Sequence, residues 1–305
     1  MNAVSQPGRS PLHLRLPATS ANLGPGFDAV GLAMALYLTI DASVGPVFQI
    51  DAAGRNADEC GVLDNNLILT TYVDVLANAG VFAQRLHLKL HNEIPLGMGC
   101  GSSAAALVAG VLLANHFGDL GWTRQQILEE ACRREGHPDN VAACLLGGMT
   151  IASMYGGDLI TATCGEDLRW SLLLALPSAG LATAKARALL PASYTREDAV
   201  ANIQSTALLV AAFAQNRPDL LRAAMQDRLH QPYRRKACSL LPLLLPLAEA
   251  HPAVYGVALS GAGPSVLLIA DEVSSSALPD MIRQAAGDPF LEVIRTRISK
   301  GALQA

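Results

Sequence analysis

The sequence predicts an α+β protein built as two halves, residues 1–165 and 166–305, and three observations carry that class. Short stretches that alternate apolar and polar residues, such as LHLRLPA at 12–18 and LHLKL at 86–90, read as strands. Helical stretches with their own start and stop signals are interspersed among them. The apolar runs are alanine-rich and broken by Gly or Pro, as at 240–247, and none reaches the roughly 18–20 residues of a membrane span.

The 305 residues, 51% hydrophobic and 16% charged, suffice for a sizeable core. A net charge of −4 with only 22 Lys and Arg argues against a nucleic-acid partner and leaves a small anionic substrate open. Residues 1–11 lack an apolar segment and read as a short disordered tail rather than a signal peptide, so a cytoplasmic protein is expected. The six cysteines form no CxxC pair and sit mostly among apolar neighbours, as buried reduced thiols do.

After the first strand, Asn22, Gly24, Pro25, Gly26 and Asp28 make a turn-rich loop. Such a loop is either an ornate turn or a site that shows a carboxylate to a cationic group. A helix opens near Asp64, with Asn65 or Asn66 as its cap, and stops at Gly80. The strand at 86–90 delivers the chain to PLGMGCGSSAAALVAGVLLAN, residues 95–115, where Gly97, Gly99 and Gly101 precede two serines and an alanine-rich helix. Glycine permits positive φ and close approach, and the free N–H groups of a helix start favour an anion. Ser102 or Ser103 could cap that helix and still offer a hydroxyl to a phosphate or its metal. The loop is not a Walker loop, which needs a Lys before the serine, and its third glycine comes one residue too early for GxGxxG.

Thr123 and Gln126 form a capping box for a helix that ends in EGHPDN, Glu135 to Asn140. Gly136 stops it, Pro138 blocks continuation, and Asp139 or Asn140 starts the next helix, closed by Gly147 and Gly148. A Glu, a His, an Asp and an Asn in six residues are more polarity than a corner requires. A strand follows at 149–154, and the halves divide within 155–170. The strand-like run 171–177 leads to LATAKARALLP, where Thr183 and Arg187 share a helix face, and then to helices over 197–215 and 218–230. HQPYRR at 230–235 adds further arginines, and an Arg in either place could clamp a carboxylate through two bonds. Two strands over 254–271 are joined by a second glycine-rich turn, Ser260 to Pro264, able to pack beneath another loop. A helix at 277–287 and a strand at 291–298 finish the chain.

Four motifs in order, PATSANLGPGFDAVG, PLGMGCGSSAAA, EGHPDN and LSGAGPS, resemble those of the GHMP kinases, over nearly the whole chain from residue 14 to 270. The resemblance implies a two-domain GHMP kinase fold, with a ribosomal S5-like N-terminal domain, a ferredoxin-like C-terminal domain, and ATP and substrate between them. The branch it resembles most phosphorylates the side-chain hydroxyl of L-homoserine in threonine biosynthesis, needs Mg2+ and is often a homodimer. By the same resemblance Pro95, Leu96, Gly97, Met98, Gly99, Cys100, Gly101, Ser102 and Ser103 wrap the ATP phosphates, Gly261 and Gly263 support that loop, and Asn66 lies on the adenine side. Glu135 and Ser103 would hold Mg2+, a hard cation that takes oxygen ligands. Asn22 and Asp28 would receive the substrate ammonium, and Arg187 and Arg234 its carboxylate, with Arg235 competing for the last role. His137, Asn140 and Thr183 would complete the pocket, with Asn140 and His137 orienting the hydroxyl and Asp139 organising the turn. No dedicated base is implied, because phosphoryl transfer through a loose transition state depends on positioning and charge neutralisation. Cys100 stands where the family commonly has an aliphatic residue, which places a thiol beside ATP and predicts sensitivity to alkylation.

Three other readings are weighed by residues. Mevalonate as substrate would leave Asp28 without an ammonium partner, and an RNA-binding S5-like module conflicts with the acidic balance. A catalytically silent scaffold would be expected to lose Ser103, Glu135 or a loop glycine, and all are present.

Overall fold

The computed structural model describes residues 9–305. Its first sheet is laid down by β1 (Leu12–Asn22), β2 (Gly26–Val44), β3 (Gln49–Gly54), β4 (Leu86–Asn92), β5 (Met149–Tyr155) and β6 (Asp158–Cys164). The helices of this half are α1 (Ala57–Cys60), α2 (Leu67–Asn78), α3 (Ser102–Phe117), α4 (Arg124–Glu135) and α5 (Asp139–Leu146). β2 is the organiser, pairing antiparallel with β1, β4 and β5, while β3 joins β4 in parallel. In β1, Leu12, Leu14 and Leu16 are buried and His13 and Arg15 exposed, the period of two expected of a half-covered strand. From Leu16 onward every residue of β1 is buried, where α3 and α5 pack against it.

The second sheet contains β7 (Trp170–Leu176), β8 (Val254–Leu259), β9 (Val266–Asp271) and β10 (Glu292–Arg297), in the spatial order β10-β7-β9-β8, all antiparallel. Between β7 and β8 the chain forms α6 (Thr183–Arg187), α7 (Arg196–Ala214), α8 (Leu221–Ala224), α9 (Gln231–Arg234), α10 (Leu240–Leu244) and α11 (Leu247–Ala250); α12 (Leu278–Ala286) separates β9 from β10. This is the strand order of a ferredoxin-like sandwich. The apolar run over 172–176 in β7 follows from burial on both faces. Leu172, Leu174 and Leu176 join the core shared with the first half, and Leu173 and Ala175 join a second core with Leu241, Leu244 and Ile282. The last strand, β11 (Leu303–Gln304), returns to pair with β1.

Three expectations need correction. Of the tail expected over 1–11, residues 1–8 lie outside the described residues, but Arg9 pairs with Asp119 and the Ser10 carbonyl lies 2.9 Å from His116 Nε2, so this end is held against the turn after α3. The loop around Asn22 is a tight hairpin, since β1 runs to Asn22 and β2 restarts at Gly26. The helix expected over 218–230 breaks after α8, because the Asp227 carboxylate captures the N–H groups of Leu229, His230 and Gln231 and so starts α9 afresh.

Candidate active site

The glycine loop lies where the two sheets meet. Gly97, Gly99 and Gly101 all have φ near +70°, a conformation that costs other residues energy. A Cβ on Gly99 would stand 2.2 Å from the Ser260 carbonyl and one on Gly101 1.8 Å from Thr19 Oγ1, so the Gly99 backbone packs directly on backbone and the Gly101 backbone on the Thr19 side chain. The second glycine turn lies beneath the loop: Ser260 Oγ donates to the Gly99 carbonyl at 2.8 Å, and Gly261 N–H donates to the Ala21 carbonyl at 3.1 Å. Neither serine caps α3; Gly101 is its N-cap residue and no side chain accepts from the first turn. Those N–H groups are left for an incoming anion.

The loop separates two clefts. The first, about 260 Å³, is walled by the loop, the EGHPDN corner, Asn22 to Asp28, α6 and Arg234. The second, about 470 Å³, lies between α2, β4 and α3. Gly97, Ser102 and Ser103 line both, so one elongated ligand can cross the loop with its middle at the helix start.

At that crossing Ser103 Oγ donates to Glu135 Oε2 at 3.2 Å, and burial pushes the Glu135 carboxyl above its ordinary range. Next to it His137 Nδ1 donates to Asp139 Oδ1 at 2.6 Å, and that bond holds the imidazole above its ordinary value. Asp139 is 2% exposed, and the same oxygen accepts from Asn140 N–H at 2.7 Å and Nδ2 at 3.3 Å. Thr19 Oγ1 donates to Asn140 Oδ1 at 2.7 Å.

Across the cleft Asp28 and Arg187 pair through two bonds of 2.7 and 2.9 Å, which raises the guanidinium further. Asn22 is spent internally, accepting from Asp28 N–H and donating to the Gly261 carbonyl at 3.0 Å each, so it pins the first hairpin to the second glycine turn. Arg234 is 2% exposed and lines the cleft, whereas Arg235 beside it is exposed and does not. The Arg234 guanidinium reaches the Ala186 carbonyl, His230 Nδ1 and the Gly261 carbonyl at 3.3, 3.1 and 3.4 Å, and no carboxylate among the described residues pairs with it. Burial, and then Arg187, depress its basicity. The guanidiniums of Arg187 and Arg234 lie 5.5 and 5.6 Å from the centre of the Phe27 ring, within cation–π range.

The structure brings Asn22, Asp28, His137, Asn140, Thr183, Arg187, Arg234, Glu135, Gly99, Cys100, Gly101 and Gly261 to the first cleft, and Asn66 and Leu96 to the second. Pro95, Met98 and Gly263 line neither; Pro95 is buried, and the Gly263 carbonyl lies under Gly99. Asn66 caps α2 through Ile68 and Leu69, and its Nδ2 donates to the Cys60 and Val62 carbonyls, so its amide is fully used. The thiol expectation is overturned. Cys100 is 1% exposed and burial pushes its thiol up to about 12, so only its backbone faces a ligand. Phe27, Leu181 and Ala182 also line the first cleft, and Thr19 lies behind it, without a site signal of their own in the sequence. Thr19 and Phe27 lie inside the first motif, whereas nothing local marks Leu181 or Ala182, whose place depends on Leu181 N–H reaching the Gly97 carbonyl.

The two sheets and the glycine loop between them define a GHMP kinase: residues 66–148 match the GHMP kinases N terminal domain and 209–288 the GHMP kinases C terminal domain. Within that class the chain belongs to the homoserine kinase family. It is 48% identical to homoserine kinase of Solibacter usitatus over 84% of both chains, and 39% identical to that of Synechocystis over 91% of this chain and 92% of the relative. Among solved structures it superposes on homoserine kinase of Cytophaga hutchinsonii over the whole of both chains with a TM-score of 0.83 at 23% identity. It superposes on mevalonate kinase of L. major, solved with R-mevalonate, over 97% of both chains with a TM-score of 0.70 at 16% identity.

Proposed function

We propose that this enzyme moves the γ-phosphoryl group of ATP onto the side-chain hydroxyl of L-homoserine, releasing ADP and O-phospho-L-homoserine. The observation that carries the reading is the charge layout of the first cleft. Asp28, Arg187 and Arg234 form one wall, and the uncapped start of α3 with Ser103 and Glu135 forms another. A zwitterion exchanges its charges for the existing pair, its ammonium taking Asp28 and its carboxylate taking Arg187 and the unpaired Arg234. Mevalonate offers no ammonium to Asp28.

The second cleft takes the nucleoside, with Asn66 as a shaped wall rather than a donor, and the phosphates cross at Gly97, Ser102 and Ser103 to meet the α3 N–H groups. Ser103 and Glu135 fit Mg2+. They are oxygen donors, and Glu135 forms no salt bridge with a cationic side chain among the described residues. That donor set suits a cation which keeps one or two protein oxygens and takes the rest from phosphates. When bound, Mg2+ would neutralise phosphate charge. Asn140 and His137 orient the hydroxyl in line with the phosphoryl group, and its proton leaves to the transferred phosphate. Asp139, whose Oδ1 accepts from His137 and twice from Asn140, holds the corner.

ADP release with MgATP tests this, comparing L-homoserine with D-homoserine, L-serine, L-threonine and mevalonate at equal concentration. Turnover confined mainly to L-homoserine is expected. Preference for mevalonate would refute the zwitterion pocket, and inactivity with all five despite tight ATP binding would refute the kinase reading. Mg2+ dependence, a homodimer and a cytoplasmic location accompany the reading through the family resemblance. EDTA inhibition reversed by Mg2+, sedimentation and cell fractionation test them.

A further inference from the structure

We infer that Thr19 is a positioning residue that sets the phosphate loop and the Asn140 amide in a single register. The inference rests on the role given to Asn140 above. Thr19 lies on β1, is completely buried and does not line either cleft, so it acts only through its neighbours. Its backbone N–H donates to the Cys100 carbonyl at 3.0 Å, which ties it to the loop. Its hydroxyl donates to Asn140 Oδ1 at 2.7 Å, which ties it to the corner that orients the acceptor. Gly101 closes over the hydroxyl so tightly that a Cβ there would stand 1.8 Å away.

The bond selects one orientation of the Asn140 amide. With Oδ1 facing Thr19, Nδ2 faces Asp139 Oδ1 at 3.3 Å. A flipped amide would set its oxygen against that carboxylate and leave the Thr19 hydroxyl without an acceptor. The observed orientation spends one Nδ2 hydrogen on Asp139 and leaves the other for a ligand oxygen. Since β-branched threonine has few side-chain rotamers in a strand, the hydroxyl direction is set by the backbone. The register of β1 on β2 shifts between Pro17 and Ala18, immediately before it, the kind of irregularity that re-aims side chains near sites.

The experiment compares Thr19→Val, Thr19→Ser and Asn140→Ala, and combines Thr19→Val with Asn140→Ala. It measures kcat, KM for L-homoserine, the ADP dissociation constant and thermal unfolding. Valine keeps the shape and removes the donor, leaving the half-buried Asn140 Oδ1 without its Thr19 partner. T19V should lower kcat/KM for L-homoserine by about 10- to 100-fold. Its ADP dissociation constant should stay within about threefold of the parent, because the backbone tie to the loop remains. T19S should recover most of the loss, and T19V should cost nearly nothing more once Asn140 is alanine. Parental activity in T19V, equal damage in T19S and T19V, a parallel loss of ADP binding, or full additivity in the double variant would each overturn the inference. If N140A alone retains parental activity, the role of Asn140 falls first and this inference with it. If N140A is impaired and T19V is not, only the inference falls.

Discussion

Replacing Arg234 by alanine tests the substrate assignment most directly. The guanidinium is 2% exposed, its three acceptors are neutral, and two of those contacts are 3.3 and 3.4 Å long. Hydrogen bonds between charged groups contribute about 1.5–3 kcal/mol each, and Arg187 would still hold the same carboxylate. The expected loss is therefore about 2–3 kcal/mol, or roughly 30- to 150-fold in kcat/KM for L-homoserine. The comparison substrate is 3-aminopropan-1-ol, which is homoserine without its carboxylate. R234A should barely change kcat/KM for this amino alcohol and should leave KM for ATP within about threefold, so the preference for homoserine collapses. Arg235→Ala, on the exposed neighbour, should preserve that preference. Truncation also strips His230 Nδ1 of its donor, so urea unfolding of R234A and R234K is measured alongside. Equal losses with both substrates, or a rise in KM for ATP matching that for homoserine, would refute the clamp.

Three other outcomes follow from the geometry. Gly99→Ala places a Cβ 2.2 Å from the Ser260 carbonyl at φ +73°; it should weaken ADP binding by about tenfold or more, from a left-handed strain of roughly 1–2 kcal/mol plus the clash, and calorimetry giving parental ADP affinity in a folded G99A would contradict this. Cys100, 1% exposed and with its thiol pushed up to about 12, should escape iodoacetamide at neutral pH in the folded protein, and labelling as fast as in urea, read by peptide mass, would defeat the argument. His137 is held above 6.5 mainly by its bond to Asp139, so the fold favours the protonated ring; this stabilisation is full below the unfolded value and is lost as pH rises through the raised one. The stability gap between the parent and His137→Gln should accordingly narrow as pH increases from below 6.5, and urea titrations showing a constant or widening gap would contradict the assignment.

What the sequence determined by itself was local. The capping box of Thr123 with Gln126 and the stop at Gly136 depend on a few neighbouring residues, and the structure reproduces both. The same holds for the alternation at 12–18 and for three glycines too closely spaced for any purpose but a tight loop. The motifs therefore marked the loop, the EGHPDN corner and the second glycine turn. Tertiary structure decided what each side chain does there. Asp227 broke a locally unobjectionable helix because three N–H groups converge on it. Arg234 rather than Arg235 reached the cleft because α9 packs its buried face against His230 and the second glycine turn. Asn66 exhausted its amide on α2, Cys100 turned its sulfur into the core, and Asp28 found Arg187 at a separation of 159 residues. Backbone sterics and capping act over a turn or two and can be read along the chain, whereas burial and charge pairing are set by segments that meet only once the two sheets close on one another.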